Sequence, residues 1–176
     1  FGFFQTISLA TSTGFASADS SMWPNFAILL LIFFTLQCAC SGSTSGGIKA
    51  DRILIAFYSI KAHITKRLHP RSVVPTRVGG LAIDPDTVSG VNLFIVFYLF
   101  CVLIASLLLT LTGVDIMDAV SATAAHIGNV GPGFGSVGSM SNYSSFNSFA
   151  KFVLSVIMIM GRIELFGFLI LFSSRR

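Results

Sequence analysis

The sequence predicts an all-α integral membrane protein, assembled from a repeated unit of spanning helix, short helix, glycine loop and second spanning helix. Three observations predict it. Of 176 residues, 53% are apolar and 10% charged, against about 25% charged in a soluble domain, and the mean hydropathy is +0.84. The basic residues are clustered: seven of the eleven Lys and Arg lie between Lys49 and Arg77, and two close the chain at Arg175 and Arg176. Such clusters mark the cytoplasmic edges of spanning segments, so the net charge of +4 does not argue for nucleic acid. The third observation is that one order of segments occurs twice.

In chain order, residues 1–12 (FGFFQTISLATS) make three helical turns at most, short of the roughly 20 residues a bilayer requires. A small-residue turn, STGFAS, follows. Residues 24–40 (PNFAILLLIFFTLQCAC) form an expected spanning run, with Pro24 suited to a first helical turn. After SGSTSGGIK (41–49) comes an apolar, partly basic continuation from Ile53 to Ile60. A basic loop, KAHITKRLHPRSVVPTR, then leads through a Gly/Pro/Asp turn region to Ser89. Residues 90–112 form a second span, 115–127 (DIMDAVSATAAHI) a second short helix, and 126–138 (HIGNVGPGFGSVG) an uncharged glycine loop. A polar turn leads to a last apolar run from Phe149 to Phe172. The chain starts at Phe1 with no visible signal peptide, and a piece of a longer protein is expected. Cys38, Cys40 and Cys101 lie in apolar runs and read as small buried residues, not as a disulfide framework.

The repeat and the charges agree on topology. The turns 16–23, 113–118 and 136–148 contain no Lys or Arg and are expected to face outward, while residues 49–88 and the C-terminus face the cytoplasm. Each short helix must then enter and leave on the outer side, as a re-entrant segment buried in protein or lining water. Bare backbone at that depth costs several kcal/mol for each unsatisfied polar group, in rough terms. Carbonyls that line a pore and replace the water shell of a potassium ion repay this cost. Glycine supplies the backbone angles, and a short helix directing its C-terminal end at the ion adds negative potential. TSTGFA and HIGNVGPGFG therefore read as two quarters of a selectivity filter.

Other patterns are weaker. Gly133-Phe134-Gly135-Ser136-Val137-Gly138 matches GxGxxG but follows a helix-like segment, so a dinucleotide site is not expected. SGSTSGGIK lacks a Lys directly after the final Gly of a phosphate loop. Asn142-Tyr143-Ser144 fits a glycosylation acceptor. His63 and His69 have no acidic or Cys neighbours that would make a metal site. Lys151 reads as a side chain reaching back to the outer surface. His126 reads as a hydrogen-bonding strut behind the loop rather than a catalytic group, and no nucleophile–base set is evident.

Taken together, TSTGFASADSSMWP, CACSGSTSGGIKADRIL, HIGNVGPGFG and GRIELF, in that order across residues 6–166, resemble the Trk/Ktr/HKT potassium-transporter superfamily, most closely its bacterial Trk branch. The resemblance implies a pseudo-fourfold, potassium-channel-like pore of four repeats, each an outer helix, pore helix, filter loop and inner helix. Residues 1–60 would supply the pore helix, filter and broken inner helix of a third repeat, 61–88 a cytoplasmic basic loop, and 89–176 a complete fourth repeat. Its filter strands would be Ser12, Thr13, Gly14 and Phe15, and Asn129, Val130, Gly131 and Pro132. Potassium would sit at Thr13, Gly14, Val130 and Gly131. Pro132 departs from the simple potassium-channel pattern but fits the Trk branch. A gating loop would span Gly42, Ser43, Thr44, Ser45, Gly46 and Gly47, whose composition already disfavours helix. Arg162, a charge deep in the last span, is a functional candidate on cost alone. The resemblance puts it near the ion path and the gating loop. Glu164 or a group outside this chain would neutralise it, although positions i and i+2 do not share a helix face.

The family further implies no cofactor beyond the transported K+, no enzymatic activity, and an inner (plasma) membrane location in a lipid bilayer. Its implied partners are a nucleotide-binding cytoplasmic regulatory subunit and a second copy in a homodimer, with no nucleic acid. An alternating-access secondary cation transporter, with broken helices about a midplane site, is the competing reading.

Overall fold

A computed structural model describes residues 1–69, 71–72 and 74–163. Six helices follow one another among these residues: α1 (Gly2–Ala10), α2 (Asn25–Gln37), α3 (Ala50–Leu68), α4 (Pro85–Thr110), α5 (Ile116–Ile127) and α6 (Ser148–Arg162). A two-stranded antiparallel hairpin, β1 (Arg77–Val78) and β2 (Leu81–Ala82), precedes α4, with Arg77 opposite Ala82.

The centre is α5. It packs on α2, α4 and α6, while α1 lies on α2 and α3 on α4. Its sequence explains the position. Ala119, Ser121, Ala122, Thr123, Ala124, Ala125 and Ile127 are all buried, so small side chains let three helices approach one axis. The buried Thr123 hydroxyl donates to the Ala119 carbonyl at 2.8 Å. The Asp115 carboxylate caps the start of the helix by accepting from the Met117 N–H at 3.2 Å.

The 26-residue α4 is the one helix among the described residues long and apolar enough to cross a membrane. It is apolar all round. Phe94, Tyr98, Cys101, Ala105 and Leu109 face the core, while Leu93, Val96, Phe100, Leu103 and Leu107 remain exposed on the other side. A helix of that kind is expected inside a large core or in lipid. The Tyr98 hydroxyl donates to the Leu36 carbonyl at 3.4 Å and ties α4 to the end of α2.

Three expectations change. The run 24–40 is helical only over Asn25–Gln37, 13 residues, or about 20 Å, below the thickness of a bilayer core. The helix stops because Cys38 and Ala39 turn to φ +29° and +49°. Their carbonyl neighbours are then taken by returning chain: Ile48 N–H donates to Leu36 O at 3.0 Å, Lys49 N–H to Gln37 O at 2.8 Å. The stretch from Lys61, expected as a basic loop, begins as helix, because α3 continues to Leu68. Lys66 and Arg67 in its last turn complement the helix dipole. Cys40, expected to be buried, is exposed because the helix has already ended, whereas Cys38 and Cys101 are buried and all three are free thiols. The last run matches α6 to Arg162; its expected continuation to Phe172 lies outside the described residues.

Ala122 is fully buried. In the full-length protein, Ala122→Leu should cost about 1–3 kcal/mol through overpacking. A lowered melting temperature in detergent checks this; an unchanged one would contradict the central position of α5.

Candidate functional site

Each short helix, α1 and α5, runs directly into one of the two candidate filter loops. The two loops have the same local structure at positions 117 residues apart. After α1, Ser12 N–H donates to Leu9 O at 3.1 Å, Thr13 N–H to Ser8 O at 2.8 Å and Gly14 N–H to Ser8 O at 3.3 Å. After α5, Asn129 N–H donates to His126 O at 3.0 Å, Val130 N–H to Ala125 O at 2.9 Å and Gly131 N–H to Ala125 O at 3.4 Å. Ser12 and Asn129 have φ of +57° and +56°, and Gly14 and Gly131 have +75° and +106°. The loop N–H groups are thus spent on the helix ends, a left-handed helix termination. Among the described residues, nothing donates to the carbonyls of Thr13, Gly14, Asn129 or Val130.

The two loops also touch. A Cβ on Gly14 would lie 2.1 Å from Val130 O and 3.3 Å from Pro132 Cδ, so only glycine allows the strands this close. The same construction on Gly131 meets no described atom within 4 Å.

Side chains hold each loop from behind. In the first, Ser8 Oγ donates to Phe15 O at 2.6 Å and Gln5 Nε2 to Ala18 O at 2.7 Å. In the second, Ser121 Oγ accepts from Phe134 N–H at 3.1 Å and donates to Phe134 O at 3.2 Å. Asp118 accepts from the Ser136 N–H at 3.1 Å and from its hydroxyl. The Tyr143 hydroxyl donates to Gly131 O at 2.9 Å. Its ring lies edge-on to His126, 4.8 Å between centroids, and to Phe146, 5.5 Å. His126 Nδ1 sits 2.8 Å from Ala122 O, so that nitrogen carries the proton. Burial pushes the Tyr143 phenol, in the turn before α6, up to about 12, and it remains a donor at neutral pH. Lys151 Nζ donates to Ser144 O at 3.1 Å, back toward the same turn.

The break between α2 and α3 occupies residues 38–49 and is longer than the six residues assigned to the gating loop. It reaches both candidate filter loops. Ser45 Oγ pairs with Ser12 Oγ of the first. A Cβ on Gly46 would lie 2.3 Å from Ile127 O and 2.9 Å from Asn129 Nδ2 of the second. Arg162 Nη1 donates to Thr44 O at 2.8 Å, so the arginine at the end of α6 is attached to the break itself. Glu164, its suggested neutraliser, lies outside the described residues. Gly42 is exposed, with nothing within 4 Å of an added Cβ, and Ser43 is half-buried, its hydroxyl accepting from the Ser45 N–H at 3.2 Å.

Sequence reasoning missed several residues here. Lys49 served only to mark the edge of a basic region, yet it is buried at φ +65° where the chain rejoins the helix. The Arg52 guanidinium lies 4.1 Å over the Phe94 ring, a cation–π contact that places its charge against α4. Asp118 and Ser121 stand three apart on one face of α5, a spacing visible in the sequence. Tyr143 carried no such signal.

Comparison with known proteins gives one consistent result. The sequence model of TrkH, described as a cation transport protein, matches residues 1–175. The Trk system potassium uptake protein TrkH of Escherichia coli K12 is 34% identical over 171 residues, 97% of this chain and 35% of its own length. TrkG of the same organism, also called a Trk system potassium uptake protein, is 34% identical over 98% of this chain and 35% of its own. The crystal structure of the potassium transporter TrkH from Vibrio parahaemolyticus superposes with a TM-score of 0.85 at 38% identity, over 96% of this chain and 36% of that one. The chain therefore spans about a third of the length of these relatives.

Gly14 and Gly42 both have positive φ, +75° and +80°, but only Gly14 is in close contact. Left-handed strain alone costs an L-residue about 1–2 kcal/mol. Gly14→Ala should therefore destabilise the full-length protein clearly more than Gly42→Ala. Equal melting temperatures for the two variants would contradict the contact between the loops.

Proposed function

The chain belongs to the TrkH family of cation transport proteins, and on that premise we propose that it forms part of a potassium-uptake pore across the inner membrane. Residues 1–60 supply the pore helix, filter and broken inner helix of a third repeat, 61–88 a cytoplasmic segment, and 89–176 the fourth repeat. The rest of the ring belongs to a longer polypeptide.

One observation carries the reading. Two loops of matching hydrogen-bond pattern, in contact at Gly14 and Val130, leave carbonyls of Thr13, Gly14, Asn129 and Val130 without donors among the described residues. A dehydrating potassium ion is a suitable partner for such a set of oxygens. In this reading the filter residues are Ser12–Phe15 and Asn129–Pro132, with K+ as the substrate held at Thr13, Gly14, Val130 and Gly131; of these four, the Gly131 carbonyl also accepts from Tyr143. Potassium needs no further group for this, and the family is one of transporters, not enzymes.

The break is the gate. Its contacts to Ser12, Asn129 and Arg162 hold it beneath both filter loops. Arg162 has two effects: it pins Thr44, and its charge repels cations at that depth. The basic residues of α3 and the following segment suit a cytoplasmic regulatory subunit that binds nucleotide, and the family suggests a homodimer. Alternating access fits less well, because the filter loops are braced by side chains on α1 and α5.

Potassium flux into liposomes holding the full-length protein, with sodium as competitor, tests the filter. Gly131→Ser should reduce the preference for potassium at least tenfold, or about 1.4 kcal/mol. Identical flux and preference in the two proteins would remove the filter reading. Arg162→Gln should raise potassium flux about tenfold, since a charged hydrogen bond is worth about 1.5–3 kcal/mol; unchanged or lower flux would argue against the gate.

A further inference from the structure

The two filter loops match from the helix ends through their glycines and then diverge. The outward turn after Gly131, residues 132–147, has 16 residues; the turn after Gly14, residues 15–24, has 10. The longer turn contains a short helical stretch, Tyr143–Ser145, whose Tyr143 ring meets His126 of α5 edge-on. It brings Tyr143 to the Gly131 carbonyl at 2.9 Å. Among the described residues, the Gly14 carbonyl has no donor.

We propose that Tyr143 is a positioning residue that sets the direction and field of one filter carbonyl, that of Gly131, and so makes the fourth filter strand electrostatically unlike the third. The inference rests on the filter reading above. The ring is fixed between His126 and Phe146, both edge-on. His126 is itself anchored on Ala122. The hydroxyl is therefore held at the Gly131 carbonyl by packing on two sides of its ring. An oxygen that already accepts a phenol proton offers a weaker field to a cation. A weaker field favours the larger, less tightly hydrated ion, which is potassium over sodium.

Tyr143→Phe removes the hydroxyl and keeps the ring. Potassium and sodium fluxes would be measured in the same liposomes for the full-length wild type and this variant. Their ratio does not depend on how much protein has folded. The expected result is a fall of about fivefold in the potassium-to-sodium ratio, the order of one hydrogen bond, with potassium flux retained. A wild type without preference for potassium would remove the filter reading itself. A selective wild type and an equally selective Tyr143→Phe would overturn the role of the hydroxyl alone. So would loss of all flux in the variant, because the hydroxyl would then be supporting the fold. Phe146→Leu loosens the ring's packing but leaves the hydroxyl in place. If it lowered the ratio as far as Tyr143→Phe, packing would be the cause and the proposal would fail.

Discussion

Close backbone packing at the end of α5 is the constraint around which the described residues are arranged. The Ile127 carbonyl lies against both Gly46 of the break and Gly161 of α6, where an added Cβ would come within 2.3 Å and 2.1 Å of it. One residue on, a Cβ on Gly128 would lie 2.7 Å from Thr35 O of α2. Four segments thus meet at backbone distance around one helix terminus. No side chain can be inserted there without separating them. The second candidate filter loop starts from this point, so its position follows from packing rather than from its own sequence.

That constraint explains why hydrogen bonds, not side-chain chemistry, dominate the site. The loops spend their N–H groups on the helix ends, and the carbonyls of Thr13, Gly14, Asn129 and Val130 meet no donor among the described residues. Side chains such as Gln5, Ser8, Asp118 and Ser121 serve as braces on the far side. Serine, asparagine and glycine suit such positions because they bond to backbone or accept left-handed angles. The charged residues stand behind the loop: Asp118 braces it through Ser136, and Arg162 bonds to Thr44 of the break.

Much of this was legible in the sequence, for physical reasons that differ by element. Composition and uninterrupted hydropathy placed α4 at 90–112, but its start at Pro85 was hidden because Pro85, Asp86 and Ser89 read as turn. The shortness of α1 and α5 showed in the glycine after each and in neighbouring turns without Lys or Arg. Both candidate filter loops were found as uncharged, glycine-containing stretches after short helices. What remained hidden depended on contacts distant in sequence. The early stop of α2 at Gln37 is set by Ile48 and Lys49 returning to its carbonyls, while Cys38 and Ala39 look like helix continuation. Residues 61–68 read as a basic loop because charge masks helical periodicity, although Lys and Arg are good helix formers. Tyr143 touches Gly131 through a turn whose length, not its composition, brings it there.

The way the chain returns to the helix has a further consequence. In an unbroken helix, Leu36 O and Gln37 O would accept from residues 40 and 41. Ile48 and Lys49 take those two places instead. The excursion is therefore looped out, but helical register is not carried across it: the next donor, Ala50 N–H, meets Ala39 O rather than Cys38 O, and Lys49 stands at φ +65°, so α3 starts as a new helix. An insertion at residues 41–43 would enlarge the loop and leave the two bonds to Leu36 and Gln37 in place as the anchor of the returning chain. The point where α3 begins is thus set by two backbone bonds to the end of α2 and not by the length of the chain between them.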